Sequence, residues 1–177
     1  MKKFLIVSFL FFYSSSILAD QKDSRLNILF EKLYLSSSNL EANIIIRDIW
    51  EIWSIIENSS TQLLFNEATL QMNNGEFRSA IQLFTEVIND NPEFAEAWNK
   101  RATTYFLMGE FGKSIKDIER TLILEPRHFG ALDGLAEIYL LKKDLIKAAA
   151  TYEKILKIIP SSKKSKDRLE RINELFV

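Results

Sequence analysis

From Leu26 onward, apolar positions return every three or four residues through most of the chain, the spacing of a helix with one buried side. Leu26, Leu29, Phe30, Leu33 and Tyr34 follow the i, i+3, i+4, i+7, i+8 rule of an amphipathic helix. Ser36 to Ser38 interrupt it, and Ser38 with Glu41 predicts a capping box that opens a second helix over about Asn39 to Glu57. That helix carries Ile45, Ile49, Ile52 and Ile56 on one side and Ile46, Trp50 and Trp53 on an adjacent one. An apolar arc so wide has to be covered. The expected cover is the first of the paired helices that follow, with residues 20–60 acting as its cap; the alternative is a partner-binding or dimerisation surface. Helical spacing resumes between Thr61 and Asn74 and between Phe77 and Asp90. It ends in Lys163 to Val177, where Leu169, Ile172 and Phe176 share a face and Lys166, Arg168, Glu170 and Arg171 lie elsewhere, a predicted closing helix.

The helical pattern itself repeats. The three prolines, Pro92, Pro126 and Pro160, stand 34 residues apart. The same step joins Ala68, Ala102 and Ala136; Phe77, Phe111 and Leu145; Ala80, Ser114 and Ala148; and Phe84, Ile118 and Tyr152. Gly75 and Gly109 keep the step and Lys143 breaks it. Each residue type has a physical reason. Glycine permits the positive φ of a tight turn between two helices, small residues let those helices approach, and proline stops the second helix. One such hairpin cannot cover its own apolar face, so the pattern predicts a stack of hairpins.

A 34-residue period, with small residues at its eighth and twentieth positions, an aromatic at the seventeenth and proline at the thirty-second, resembles the tetratricopeptide repeat family. The repeats fall at 61–94, 95–128 and 129–162. The second matches best, with Trp98, Ala102, Tyr105, Gly109, Phe111, Ser114 and Pro126 in register. The third has Leu132 at the tryptophan position, and the first has Leu64 and Gln71 at the tryptophan and tyrosine positions. The resemblance implies an all-α fold: a right-handed superhelix of three helix-turn-helix repeats, preceded by two helices and closed by a capping helix over 163–177. The chain is also similar to a group of exported repeat proteins of alphaproteobacteria, through Ile49-Trp50-Glu51-Ile52-Trp53, Ala97-Trp98-Asn99-Lys100-Arg101-Ala102-Thr103 and Leu124-Glu125-Pro126-Arg127-His128-Phe129-Gly130-Ala131-Leu132. That similarity implies a periplasmic address and no particular activity.

Residues 1–19 fit the same address. Lys2 and Lys3 precede an apolar run from Phe4 to Tyr13, broken only by Ser8, and Ile17-Leu18-Ala19 then meets Asp20. This is the layout of a secretory signal peptide cleaved after Ala19. The run is shorter than the roughly 20 apolar residues of a membrane span, so no stable anchor is expected after cleavage. The formal net charge of −1 offers no basic stripe for nucleic acid, and loss of Lys2 and Lys3 takes it to about −3. The 177 residues hold no cysteine, which removes disulfides, thiol catalysis, cysteine-bound zinc and N-terminal lipidation on cysteine.

Little chemistry remains. Gly109-Glu110-Phe111-Gly112-Lys113-Ser114 ends like a phosphate-binding loop, but Leu107 stands where the first glycine belongs and no strand precedes it. His128 is the only histidine, so it can support neither a multi-histidine metal site nor, lacking an activated serine, a hydrolytic triad. With Arg127 it is expected in the loop between repeats two and three, as a surface or interfacial loop residue or as a polar contact to a ligand. Asp133 and Glu137, four apart, share a helix face that could stay solvated or meet a basic partner. Arg101 replaces the leucine usual at its position and is expected to pair with Glu125 or Asp117. No cofactor or metal is expected, and the chain is read as a non-enzyme.

In this family the first helices of successive repeats line a concave groove. The resemblance places Gln62, Phe65, Thr69 and Met72 there from repeat one, Glu96, Asn99, Thr103 and Phe106 from repeat two, and Asp133, Glu137 and Leu140 from repeat three. Members that grip a peptide's C-terminal carboxylate do so with lysine, arginine and asparagine. Phe65 and Thr69 replace those cations here, and Asp133 and Glu137 reverse the sign. The expected ligand is therefore a protein or peptide segment with apolar anchors and some positive charge. The expected role is a periplasmic scaffold in cell-envelope assembly; the alternative is an accessory or regulatory subunit of an envelope enzyme complex.

Overall fold

The structure, a computed structural model, describes residues 21–175. The leader expected over 1–19, and Phe176 of the closing helix, lie outside them. Among the described residues there are nine helices and no strand: α1 (Arg25–Leu35), α2 (Asn39–Trp53), α3 (Ser59–Asn73), α4 (Phe77–Asp90), α5 (Ala95–Leu107), α6 (Phe111–Leu124), α7 (Phe129–Leu141), α8 (Leu145–Ile158) and α9 (Lys163–Glu174). The pairs α3/α4, α5/α6 and α7/α8 are the three repeat hairpins.

Each hairpin turns in the same way. Gly75, Gly109 and Lys143 all adopt positive φ, at 84°, 74° and 59°. The next residue's N–H then reaches back five residues: Glu76 to the Gln71 carbonyl, Glu110 to Tyr105 and Asp144 to Tyr139, each at 2.9 Å. These are Schellman caps, which satisfy carbonyls that a helix end leaves open. Lys143 makes the turn without glycine, against the steric preference of an L-residue.

The links between repeats are proline turns. Asn91, Glu125 and Ile159 precede the prolines in extended backbone, as the proline ring requires. Each accepts a hydrogen bond from the residue three along: Phe94 N–H at 3.1 Å, His128 N–H at 3.0 Å and Ser162 N–H at 3.0 Å. Proline thus sits second in a four-residue turn, where its fixed φ suits the geometry.

Small residues set how near the helices lie. Ala68, Ala80, Ala102, Ala136 and Ala148 are all fully buried. Ser114, at an alanine position, is buried as well, and its hydroxyl donates to the Ala102 carbonyl at 2.8 Å. Phe84 and Tyr152 fill the space beside the small residues. Gly109 is the α5–α6 turn, so the Gly-Lys-Ser sequence after it is an ordinary helix start.

The leading hairpin departs from expectation. It does not stop at the first repeat but crosses the inter-repeat turns of all three. Ahead of α1, Gln21 donates to the Glu93 carbonyl and accepts from Ala95 N–H. Further along, Asn27 accepts from Arg127 at 3.1 Å, and the Arg127 guanidinium lies 4.1 Å from the Phe30 ring centre. Past its end, the Ser36 and Ser161 hydroxyls bond at 2.7 Å. α2 then returns, and its core residues Ala42, Ile45, Ile49, Ile52 and Trp53 join Phe129, Leu132, Tyr152, Ile155 and Ile159 in one cluster. Its wide apolar arc is thus shared between α1 and repeat three. At its start, Ser38 caps Glu41 N–H as expected, while the Glu41 carboxylate takes Ser37 N–H instead of closing the box on Ser38.

Candidate concave face and the cleft beyond it

The first helices α3, α5 and α7 turn one edge toward the same side. Between α5 and α7 that side holds a slot of about 220 Å³. Thr103 and Phe106 form one wall, and Gly130, Asp133, Gly134 and Glu137 form the other; Ala102 and Ile118 lie beneath. A Cβ built on Gly134 would come no nearer than 3.7 Å to Ile118 Cδ1, so a side chain there would enter the slot without a clash. Thr103 is exposed and Phe106 half-buried, its ring 5.7 Å from that of Phe111.

The structure brings only part of the expected lining to this surface. Phe65 and Met72 are core, with the Phe65 ring 5.9 Å from Phe84 and 5.1 Å from Phe94. Gln62 is committed to the α2–α3 linker, accepting from Ile56 N–H and donating to the Ser54 carbonyl. Thr69 turns its hydroxyl back on the Phe65 carbonyl and stays half-buried. Leu140 packs on the cluster shared with the leading hairpin. An apolar residue one turn from the core is drawn in by burial, which outweighs its family position.

Asn99 reaches the slot as expected, though mostly buried, whereas Glu96 is buried away from it, and so is His128, at 0% exposure. This corrects the expectation of a loop histidine open to ligand. His128 is the N-cap of α7: its Nδ1 accepts from Ala131 N–H at 3.1 Å, so the proton lies on Nε2. Nε2 donates to Glu96 Oε2 at 2.9 Å, and the same oxygen accepts from Asn99 Nδ2 at 3.1 Å. The Trp53 ring stacks on the imidazole at 4.2 Å and 8°, while Trp50 meets it edge-on at 5.4 Å. α2 therefore lids this polar cluster. Trp53 Nε1 and Glu96 Oε1 have no hydrogen-bond partner among the described residues; Lys100 Nζ stands 3.5 Å from the latter oxygen. Arg127 is likewise turned inward, its guanidinium on Glu125 at 2.9 Å and on Phe30. Arg101 pairs with Asp117 at 2.7 and 2.9 Å, not with Glu125.

Asp133 and Glu137 do share a face, and α9 answers them. Lys164 Nζ lies 2.7 Å from Asp133 and 3.4 Å from Glu137, and Arg168 lies 3.4 Å from Glu137. Burial works against the charge on Lys164, but the Asp133 and Glu137 carboxylates outweigh it and hold the ammonium above its usual range. The Tyr152 hydroxyl donates to Glu137 at 3.1 Å; burial, then that carboxylate, push it well above the usual tyrosine range. Two acidic groups that read as a ligand site are therefore neutralised within the chain.

Beyond them, between α2 and α9, is a second and larger recess of about 580 Å³, which the sequence reading missed. Asn39, Asn43 and Ile46 face Lys163, Lys164, Asp167, Arg168 and Arg171 across it, and Ala42 and Ile159 lie between. The signal for it was present. Continuing the 34-residue step carries Glu96 and Gly130 to Lys164, Asn99 and Asp133 to Asp167, and Thr103 and Glu137 to Arg171. α9 is thus in register as the first helix of a further repeat.

Residues 65–107 and 100–163 match the family model of the tetratricopeptide repeat. A TPR repeat-containing protein of Rhizobium etli is 32% identical over 150 residues, covering 85% of this chain and 74% of that protein. Hsp70-Hsp90 organizing protein 1 of Glycine max is 29% identical over 98 residues, only 17% of its length. Among solved structures, the first TPR of Spaghetti (RPAP3) bound to an HSP90 peptide superposes with a TM-score of 0.63 at 18% identity, over 68% of this chain and 98% of that one. The type III secretion chaperone SycD of Yersinia enterocolitica, in complex with a peptide of the translocator YopD, gives 0.64 at 15%, over 68% and 98%. Matches over the repeats themselves and over most of the chain make this protein a member of the tetratricopeptide repeat family.

Proposed function

We propose that this protein is a non-catalytic interaction module of the periplasm that holds a segment of a partner protein on its concave face, in assembly of the cell envelope. The slot between α5 and α7 carries the reading. It is open, it is floored by Ala102 and Ile118, and at its rim the Thr103 hydroxyl, which donates to the Asn99 carbonyl, keeps its oxygen free to accept beside Phe106. An apolar floor with a few polar groups at the rim suits one anchoring side chain of a peptide. The two superposed repeat structures that hold a bound peptide support the class of ligand. The address rests on residues 1–19 and on the similarity to exported repeat proteins.

Two measurements test this. A photo-crosslinking amino acid at the exposed Thr103 should capture one dominant envelope protein in living cells. Filling the slot with Gly134→Leu should abolish that adduct. Capture that persists in Gly134→Leu would remove the slot from the mechanism. N-terminal sequencing of periplasmic material should begin at Asp20, and recovery of the intact leader in the cytoplasm would refute the address.

A further inference from the structure

We propose that the cleft between α2 and α9 binds an acidic segment of the partner protein, as a continuation of the concave face. The inference rests on the peptide-binding reading above and reverses the charge expected of the ligand.

Asp133 and Glu137 are occupied by Lys164 and Arg168, so a basic ligand finds no free carboxylate pair there. Arg171, by contrast, is exposed and has no ion-pair partner among the described residues, and Lys163 has only Asp167 at 3.5 Å, both side chains well exposed. The Asn39 and Asn43 carboxamides, one turn apart on α2, are exposed and likewise unbonded. A third contribution comes from the backbone. The cleft lies at the start of α9, where Ser162 caps Ser165 N–H but leaves the first two amides of the helix open, at its positive end.

These features favour a peptide over other anions. Carboxamides opposite cations, across a floor made by Ala42 and Ile159, suit an extended backbone with acidic side chains on one edge. About 580 Å³ is far more than one phosphate needs. A nucleic acid would need a longer basic track, and Asp167, Glu170 and Glu174 on the same helix interrupt one. The site uses none of the lining positions of the three repeats. It is built by the two flanking elements.

The test is fluorescence anisotropy with the whole protein and three labelled peptides of equal length, alternating leucine with glutamate, glutamine or lysine. The glutamate peptide should bind at least about tenfold more tightly than the glutamine one, and more weakly as salt rises. Arg171→Glu with Lys163→Glu should abolish the difference, and Arg171→Gln should reduce it. Lys166→Glu, on α9 but outside the cleft, should leave it intact, which controls for simple charge change; unchanged melting of each variant controls for folding. Equal binding of glutamate and glutamine peptides overturns the proposal, as does indifference to Arg171→Glu. So does cosedimentation with phosphatidylglycerol vesicles, dependent on Arg171, in the absence of peptide binding. The Thr103 crosslink separates the two readings: if it persists while the charge preference fails, the concave face stands and this cleft falls.

Discussion

Replacing Arg101 with leucine restores the residue the repeat pattern favours, yet the structure makes it a damaging change. Arg101 grips both Asp117 oxygens and also donates to Thr85 at 2.9 Å, and its guanidinium lies 4.9 Å from the Trp98 ring centre. The two side chains are 13% and 7% exposed. Leucine would leave the Asp117 carboxylate largely buried between α5 and α6 with no cation. Removing one partner of a buried pair costs about 3–5 kcal/mol, because the orphaned charge has lost its water as well. Some residual exposure places this case at about 3 kcal/mol, or a fall of about 6–12 °C in Tm for a domain of this size. Arg101→Leu combined with Asp117→Leu removes the orphan and should recover most of that loss. Urea titration followed by circular dichroism measures all three variants. The reasoning is refuted if Arg101→Leu costs under about 1 kcal/mol, or if the double variant is as unstable as the two singles added together.

Three other outcomes are expected. Lys143→Gly relieves a positive φ at the third hairpin turn, and after glycine's own entropy cost should stabilise by about 0.5–1 kcal/mol; a lower melting temperature would contradict this. Gly130→Ala sets a Cβ at 2.7 Å from Trp50 Cη2, whose ring is held by Trp53, His128 and Phe129, so the leading hairpin should loosen at a cost of about 1–3 kcal/mol. Red-shifted tryptophan emission and faster proteolysis within 21–56 would report it. Asp23 is held below the usual carboxylate range by its hydrogen bonds and ion pair to Arg25, so its contribution exists above the unfolded value and is lost as pH falls through the folded one. Amide exchange at the start of α1 should therefore rise on acidification below the ordinary carboxylate range, and an Asp23→Asn variant should show no such rise.

Much of the fold was legible because it is periodic. Prolines, glycines and alanines at a fixed step identify turns and close contacts directly, since few other residues satisfy those geometries. What a repeat pattern does not carry is information on what lies against it. Helical spacing correctly marked α2 as needing cover, but Trp50 and Trp53 could not show that their cover was His128 and Phe129, some 75 residues on. His128 looked like a loop residue because its turn is a loop; only the lid over that turn buries it. The groove suffered for a related reason. Family positions assign a direction to each side chain, and at Phe65 and Met72 size overrode direction. Asp133 and Glu137 were read on their own helix, and the charges that answer them come from α9.

The course of α1 over the three proline turns changes the mechanics of the molecule. A plain stack of repeats interacts only with its neighbours, so it can fray from either end and stretch like a spring. Here one strut is fastened near Glu93, at Arg127 and at Ser161, which lie 34 residues apart in sequence. The spring is braced along one edge. Its ends cannot open independently, unfolding gains cooperativity between the first and last repeats, and the opposite concave edge keeps its span when a ligand arrives. The cost is borne in time, because contacts between α1 and α8 need a loop of more than a hundred residues to close.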